Sequence, residues 1–262
     1  PINTVQFSNH TGYPKWKGTV TSGKQMDELV DGLQLNNLLT FPYLITGYMG
    51  GIDCLSHLNK LIEKLRANLK QTNDSKLFYA CDPVMGDNGK LYAPSFEPFI
   101  EVYKKDIFPY ADLVTPNQTE ASFLLNKMQI NTLQEAYDAC CKFHQQYDIR
   151  YVVITSITFE KEPDKIYVVY SDKSKPKTYG YLKIDKIKAY FCGTGDLTTA
   201  LLFNWIQKHP ENLSIAVQKT VATVLSIIQR TQRAESNELL LIGQSSMNDI
   251  LNPTNLPVSY VV

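Results

Sequence analysis

Leu44-Ile-Thr-Gly-Tyr48, then Ile52-Asp-Cys-Leu-Ser-His-Leu-Asn-Lys-Leu-Ile-Glu-Lys-Leu-Arg-Ala-Asn-Leu69, then Leu77-Phe-Tyr-Ala-Cys-Asp-Pro83 is the stretch that decides the fold. The first segment reads as a short strand ending at Gly47-Tyr48. In the second, Leu55, Leu58, Ile62, Leu65 and Leu69 recur at steps of three and four, which predicts a helix with one buried stripe. The third is a strand stopped by Asp82-Pro83. Strand, helix and strand in this order predict a parallel sheet wrapped by helices.

The same rhythm runs outward in both directions. Upstream, Ile2–Gln6 reads as a strand leading to the polar, aromatic loop Phe7-Ser-Asn-His-Thr-Gly-Tyr13. Downstream, Gly86-Asp-Asn-Gly-Lys90 reads as a flexible loop, and Glu97–Phe108 as a helix before the strand Leu113-Val-Thr115, which Pro116 halts. Helices are expected near Gln118–Lys127 and Leu133–Gln146, with a strand at Tyr151-Val-Val-Ile-Thr155. Ile166–Tyr170 and Lys177–Ile184 read as an antiparallel hairpin joined by Ser171–Lys175. Leu197–Ile206 is apolar on nearly every side, so its helix is expected between the sheet and a second helix, Leu213–Gln229, carrying Val217, Val221, Val224, Leu225 and Ile228 on one face. Glu238–Ile242 is expected as a late strand and residues 252–262 as a tail. No repeat or linker divides the chain, so residues 1–262 read as one α/β domain.

Composition narrows the partners. Lys plus Arg and Asp plus Glu both total 26, a formal net charge of +0, which gives no pull toward nucleic acid or an anionic membrane. The five cysteines carry no C-x-x-C spacing and suit a reducing, cytoplasmic setting. No apolar run reaches the roughly 18–20 residues that span a bilayer, and Pro1-Ile-Asn-Thr shows no leader pattern. A first residue other than Met hints at a chain that was cut or begins late. The four histidines show no ligand-like pairing, and Cys140-Cys141 is expected to pack rather than react.

In a parallel α/β sheet, ligands gather beyond the carboxyl ends of strands. The sharpest such place is Gly193-Thr-Gly-Asp196, where glycines let backbone N–H groups converge at a helix mouth, suiting a phosphate or a metaphosphate-like group. Asp196 can accept the proton of an attacking hydroxyl there; it can equally be a helix cap. Asp82, Asp87 and Glu120 are candidate carboxylates for Mg²⁺ on nucleotide phosphates. Asp82 also suits a turn before proline, Glu120 a first-turn helix acid, and Asn117 the N-cap of a capping box with Glu120. Thr155-Ser156 can bind phosphate oxygens or simply end a strand. The Phe7–Tyr13 loop can stack on a flat heteroaromatic ring or lie at the surface unused.

Taken together, Val5-Gln-Phe-Ser-Asn-His-Thr-Gly-Tyr13, Leu44-Ile-Thr-Gly-Tyr48, Cys81-Asp-Pro-Val-Met-Gly-Asp87, Thr115-Pro-Asn-Gln-Thr-Glu120, Val153-Ile-Thr-Ser156 and Gly193-Thr-Gly-Asp-Leu197 resemble the pyridoxal kinases of the ribokinase-like superfamily. The likeness runs from about Ile2 to Arg230. It implies a three-layer α/β/α fold with a mostly parallel central sheet, and ATP-dependent phosphorylation of the 5′-hydroxyl of pyridoxal, pyridoxine and pyridoxamine in vitamin B6 salvage. It assigns Asp196 as proton acceptor and Gly193, Thr194 and Gly195 as the anion hole. Asn117, Thr155, Ser156 and the stretch Ile187–Thr199, including Ile187 and Phe191, are implied around ATP. Asp87 and Glu120 are implied near Mg²⁺ or another divalent ion, and Asp82, Thr115 and Thr155 at a monovalent K⁺ or Na⁺ site. Phe7 matches a ring-stacking position, Thr11 and Tyr48 match vitamin-contacting ones, and Tyr92 matches a lid residue. A homodimer in the cytoplasm is implied as well.

The family's strand, turn and helix before the equivalent of Ile2, with a serine that meets the pyridine ring, have no counterpart in these residues, so Ile2–Val5 is expected to lack a sheet neighbour. Gly-x-Gly-Asp supports only the superfamily, whereas the Phe7–Tyr13 and Thr115–Glu120 segments point to the family. Competing readings are a hydroxymethylpyrimidine or sugar kinase, and a truncated, non-catalytic nucleotide- or vitamin-binding relative.

Overall fold

The computed structural model describes residues 1–71, 76–175, 179–187, 189, 191–236, 238–253, 256 and, for the backbone alone, 259–261. The chain folds into two compact units, Pro1–Asp112 and Leu113–Val262.

In the first unit, β1 (Val5–Phe7) pairs antiparallel with β2 (Gly18–Val20), so the opening strand is shorter than Ile2–Gln6 and has a neighbour that the sequence pattern did not reveal. Helix α1 (Gly23–Leu35) begins at a capping box: Ser22 accepts from the Gln25 N–H, and the Gln25 side chain accepts from the Ser22 N–H. It packs on α2 (Ile52–Gln71), where Gly23 lies so near the His57 ring that a Cβ would meet it at 2.5 Å. β3 (Tyr43–Thr46) and β4 (Phe78–Cys81) pair in parallel, from Tyr43 opposite Phe78 to Thr46 opposite Cys81. All five predicted stripe residues of α2 are buried, and each adds about 1.5–3 kcal/mol over its exposed state.

The segment expected as a flexible loop is a hairpin instead. β5 (Gly86–Asp87) pairs with β6 (Lys90–Leu91) across Asn88-Gly89, whose φ values of 51° and 76° fit the twisted two-residue turn that this dipeptide favours. Beyond it, α3 (Glu97–Val102) continues through a π-helical turn, Tyr103–Ile107, as the expected helix.

In the second unit, the strands run in the order β11-β10-β9-β8-β7. β7 (Leu113–Val114) and β8 (Tyr151–Phe159) are parallel; β9 (Glu162–Asp172), β10 (Tyr179–Asp185) and β11 (Ser259–Val261) add antiparallel, so the sheet is mixed. β8 runs beyond the expected Thr155 because Glu160-Lys161 turns it back onto β9. Helices α4 (Gln118–Leu124) and α5 (Leu133–Tyr147) pack on its strands, and α6 (Thr194–Lys208) packs on α7 (Leu213–Arg233). Val152, Val153, Ile154, Val169 and Phe143 are fully buried in this core.

Four expectations change here. The buried face of α7 runs through Ala216, Val217, Thr220, Thr223 and Ile227, so Val224, Leu225 and Ile228 are only half-covered. Glu238–Ile242 is no strand: Glu238 makes one isolated bridge with Cys192, and Ile242 is 98% exposed. A further helix, α8 (Gln244–Leu251), follows and packs on α7. The tail carries β11, while its residues 254, 255, 257, 258 and 262 lie outside the described residues, as do Lys177 at the predicted strand start and residues 188 and 190 within the stretch Ile187–Thr199.

Candidate active site

The second unit gathers the phosphate-handling candidates. Gly193 holds φ 83°, a left-handed conformation that glycine adopts without a Cβ clash, and it turns the chain directly into α6. Among the described residues, no side chain makes a cap hydrogen bond to this helix start. Its first N–H groups and the positive end of its dipole are therefore turned outward, the arrangement that receives an anion. Asp196 stands three residues after the cap position, exposed in the first turn, so the cap is Gly193 and not the aspartate.

One turn further on, Thr199 shares a 2.8 Å hydrogen bond with Thr115 at the end of β7, which ties that strand end to α6. Asn117 opens α4 by the capping box read in the sequence. Asn117 Oδ1 accepts from the Glu120 N–H at 2.9 Å, and Glu120 Oε2 accepts from the Asn117 N–H at 2.9 Å. Glu120 is only 3% exposed, and its carboxylate is thus part of the helix start. Thr155 donates its N–H to the Pro116 carbonyl at 3.0 Å. It does not end a strand: Thr155 and Ser156 lie within β8, at the register shift between Ile154 and Ile157, and such a bulge re-aims side chains.

Ile187, half-buried after β10, lines a cavity of about 350 Å³ with Lys165, Lys183, Ile184, Asp185, Leu225 and Gln229. Phe191, also half-buried, is not among those lining residues. The sequence reading missed Ile184, Leu225 and Gln229, since a β-hairpin and a helix two elements later bring them together.

The first unit carries the ring-binding candidates. Phe7 rests against Trp16 with centroids 4.5 Å apart, and Thr11 lies on the exposed loop between them. That loop is braced by Asn9 Nδ2 donating to the Lys15 carbonyl at 3.0 Å. Tyr48 is anchored by Thr4 Oγ1, which donates to the Tyr48 carbonyl at 2.8 Å, and burial pushes its phenol above the ordinary value. Tyr48 and Tyr92 meet the same residue, Phe96, at 6.1 and 6.0 Å. Phe96 carried no signal of its own in the sequence. Tyr92 is 56% exposed at the end of the hairpin. Asp82 is buried after β4, with its N–H given to the Thr46 carbonyl at 2.9 Å. Asp87 is exposed, and its carboxylate accepts from the Asn88 backbone N–H at 2.7 Å.

Among the described residues, no three His, Cys, Asp or Glu side chains cluster as a metal-binding group. The candidates Asp82, Asp87, Thr115, Glu120 and Thr155 offer oxygen alone, the donor type that hard cations take. A magnesium ion bridging protein and nucleotide phosphates needs only one or two such carboxylates, so the residues present fit one.

Phosphoryl transfer asks a protein mainly to position two oxygens in line and to hold the charge on the group between them. Backbone amides at the mouth of α6, with a carboxylate one step inside, meet that requirement on an α/β scaffold, which is the design of the ribokinase-like small-molecule kinases. The comparisons with known proteins agree and are narrower. The family model for phosphomethylpyrimidine kinase matches residues 57–239. Pyridoxal kinase of Arabidopsis thaliana is 42% identical over 264 residues, covering 97% of this chain and 82% of that protein. The human pyridoxal kinase is 36% identical, covering 88% and 75%. Among solved structures, pyridoxal kinase from Leishmania donovani in complex with ADP and ginkgotoxin superimposes with a TM-score of 0.89 at 28% identity, over 100% of this chain and 88% of that one. This chain belongs to the pyridoxal kinase family.

Proposed function

We propose that this chain transfers the γ-phosphoryl group of ATP to the 5′-hydroxyl of pyridoxal, pyridoxine and pyridoxamine. The observation that carries it is the left-handed Gly193 opening an uncapped α6 with Asp196 in its first turn. Asp196 takes the proton of the 5′-hydroxyl as its oxygen bonds to the γ-phosphorus, the bond from phosphorus to the bridging oxygen breaks, and ADP leaves. The N–H groups at Gly193, Thr194 and Gly195 receive the negative charge that spreads over the migrating group. Asn117, Thr155, Ser156, Ile187 and Phe191 hold the nucleotide, and the cavity that Ile187 lines sets Ile184, Ile187 and Leu225 beside Lys165, Lys183, Asp185 and Gln229. Phe7 stacks on the pyridine ring, Thr11 and Tyr48 contact the vitamin, and Tyr92 covers it, excluding water from a site where ATP would otherwise be hydrolysed.

Asp87 and Glu120 would hold Mg²⁺, and Asp82, Thr115 and Thr155 a monovalent cation, potassium or sodium, which would supply positive charge against the phosphates. The chain acts as one kinase domain over residues 1–262, as a homodimer in the cytoplasm. Among the described residues, no helix is long and apolar enough to cross a membrane.

The match to the phosphomethylpyrimidine kinase model favours a second reading, a hydroxymethylpyrimidine kinase. An assay coupled to ADP release, with Mg-ATP and potassium, compares pyridoxal, hydroxymethylpyrimidine and ribose. Turnover is expected with pyridoxal. Turnover with one of the others alone overturns the substrate assignment, and ATP binding without turnover of any overturns the enzymatic one.

A further inference from the structure

One buried ring of the first unit underlies both tyrosines assigned to the vitamin. Phe96 is 7% exposed. Its ring centroid lies 6.1 Å from that of Tyr48, at 48° between planes, and 6.0 Å from that of Tyr92, edge to face at 81°. Both separations fall in the range of about 4.5–7 Å over which aromatic rings attract one another.

The two tyrosines reach this ring by different routes. Tyr92 is bound to it through the chain. The Tyr92 N–H donates to the Met85 carbonyl at 3.0 Å, and a short 3₁₀ turn, Pro94–Phe96, follows at once with the Phe96 N–H given to the Ala93 carbonyl at 3.0 Å. Pro94 opens that turn with its φ already fixed. Tyr48 arrives from the end of β3, far back in the chain, with its carbonyl held by the Thr4 hydroxyl. Phe96 is itself seated from below, since its ring packs on Phe99 at 4.7 Å and Phe99 packs on Tyr103 at 6.4 Å. Phe99 and Tyr103 are both buried, so a row of rings descends from the exposed Tyr92 into the core.

A ring fixed in a close-packed core does not follow the movements of the side chains resting on it. Given Tyr48 and Tyr92 as the vitamin contacts proposed above, we propose that Phe96 is a positioning residue for the substrate, a fixed wedge that holds both phenol rings at one spacing so that a flat heteroaromatic ring meets them already ordered. Side chains ordered before binding cost the complex less than side chains ordered by it. Phe96 acts through the two tyrosines and takes no part in the chemistry. Its loss therefore weakens vitamin binding and leaves nucleotide binding and phosphoryl transfer alone.

Steady-state kinetics of the full chain with pyridoxal and Mg-ATP tests this. Phe96→Leu should raise the KM for pyridoxal roughly 2–12-fold, the worth of one aromatic pair, with kcat and the KM for ATP little changed, the pattern of lost uniform binding. Tyr48→Ala and Tyr92→Ala should raise the same KM. Phe99→Leu, which removes a core ring that packs on Phe96 and on neither tyrosine, should lower Tm with a smaller effect on KM. If the two tyrosine variants raise the pyridoxal KM and Phe96→Leu does not, the wedge is overturned and the tyrosine assignment stands. If neither tyrosine variant moves it, the assignment falls and the wedge with it. A fall in kcat at unchanged KM, or an equal rise in KM in Phe99→Leu, makes Phe96 a core residue only. Should Phe96→Leu fail to fold, Phe96→Met, which fills the space flexibly without a flat face, carries the same expectations.

Discussion

Gly193 and Asp196 divide the work of a short turn, and each can be questioned separately. An added Cβ at Gly193 meets nothing within 4 Å, so steric crowding does not explain the glycine; its φ of 83° does. Gly193→Ala should lose about 1–2 kcal/mol to the left-handed conformation, whereas Gly193→Asn, a residue more tolerant of that region, should lose less. Thermal unfolding of the two variants checks the order, and equal losses would mean that the conformation is not what selects glycine. Asp196 is exposed in the first turn of α6, so its replacement by the isosteric amide should leave folding intact. Asp196→Asn should keep ATP binding by calorimetry near normal while kcat falls by roughly 10²–10⁴, the span of a lost general base. An unchanged kcat would remove the aspartate from the chemistry. Neither test depends on His144, where burial lowers the pKa and so predicts a third effect. The unfolded histidine takes up its proton as pH falls through 6.5, before the folded one does, so stability from this group is present above that value and lost below it. Urea unfolding between pH 7.5 and 5 should show a loss that His144→Gln diminishes.

At the level of elements, the capping box of α4 poses the sharpest question, because Glu120 is assigned both to the helix start and to the metal. The two roles need different chemistry. A box accepts Gln in place of Glu, since either side chain supplies the oxygen that Asn117 needs, whereas a divalent cation needs the charge. Glu120→Gln should therefore keep stability within about 0.5 kcal/mol and raise the magnesium concentration required for activity, while Glu120→Ala should lose both, costing about 1 kcal/mol as a cap does. If Glu120→Gln leaves the magnesium requirement unchanged, the residue is structural only. The box also shows what could be read without a structure. α2 and α5 were legible because their apolar residues keep a helical period, and the α4 start because its box is written in four consecutive residues. α1 was equally written, with Ser22 and Gln25 at box spacing, but its stripe holds only Met26 and Val30 as buried apolar residues and so hardly registers as periodic. β2, β5, β6 and β11 have two or three residues each, too few for alternation to show. The hairpin's Asn88-Gly89 was a signal present and passed over. Leu239-Leu240-Leu241-Ile242 misled in the other direction: a fully apolar run predicts burial in a sheet, yet it lies open beside α8. Of the candidate site, the turn at Gly193 into α6 was legible because a glycine at a helix mouth carries its reason locally. Phe96, Leu225 and Gln229 were not, because only tertiary packing brings them to Tyr48, Tyr92 or Ile187.

For the whole molecule the open question is cooperativity, since the chain folds as two compact units while its sequence reads as one kinase domain. Calorimetry separates these cases without reference to activity. One cooperative domain absorbs its heat, about 0.7 kcal/mol per residue near 60 °C, in a single transition whose calorimetric and van't Hoff enthalpies agree. Two independent units give a ratio well above one, or two peaks. Ligand makes the distinction stronger, because a molecule that binds only the native state stabilises whatever unfolds together with its site. ADP at about 100 times its Kd should add roughly 2.7 kcal/mol, which for a chain of this size raises Tm by about 5–10 °C. The nucleotide candidates, from Asn117 to Phe191 and the mouth of α6, all lie in the second unit. If that unit unfolds alone, ADP will move one transition and leave the other where it was; if the chain is one domain, a single peak will move entire. We expect the single moving peak, and a transition indifferent to ADP would show the first unit to be a separate cooperative body.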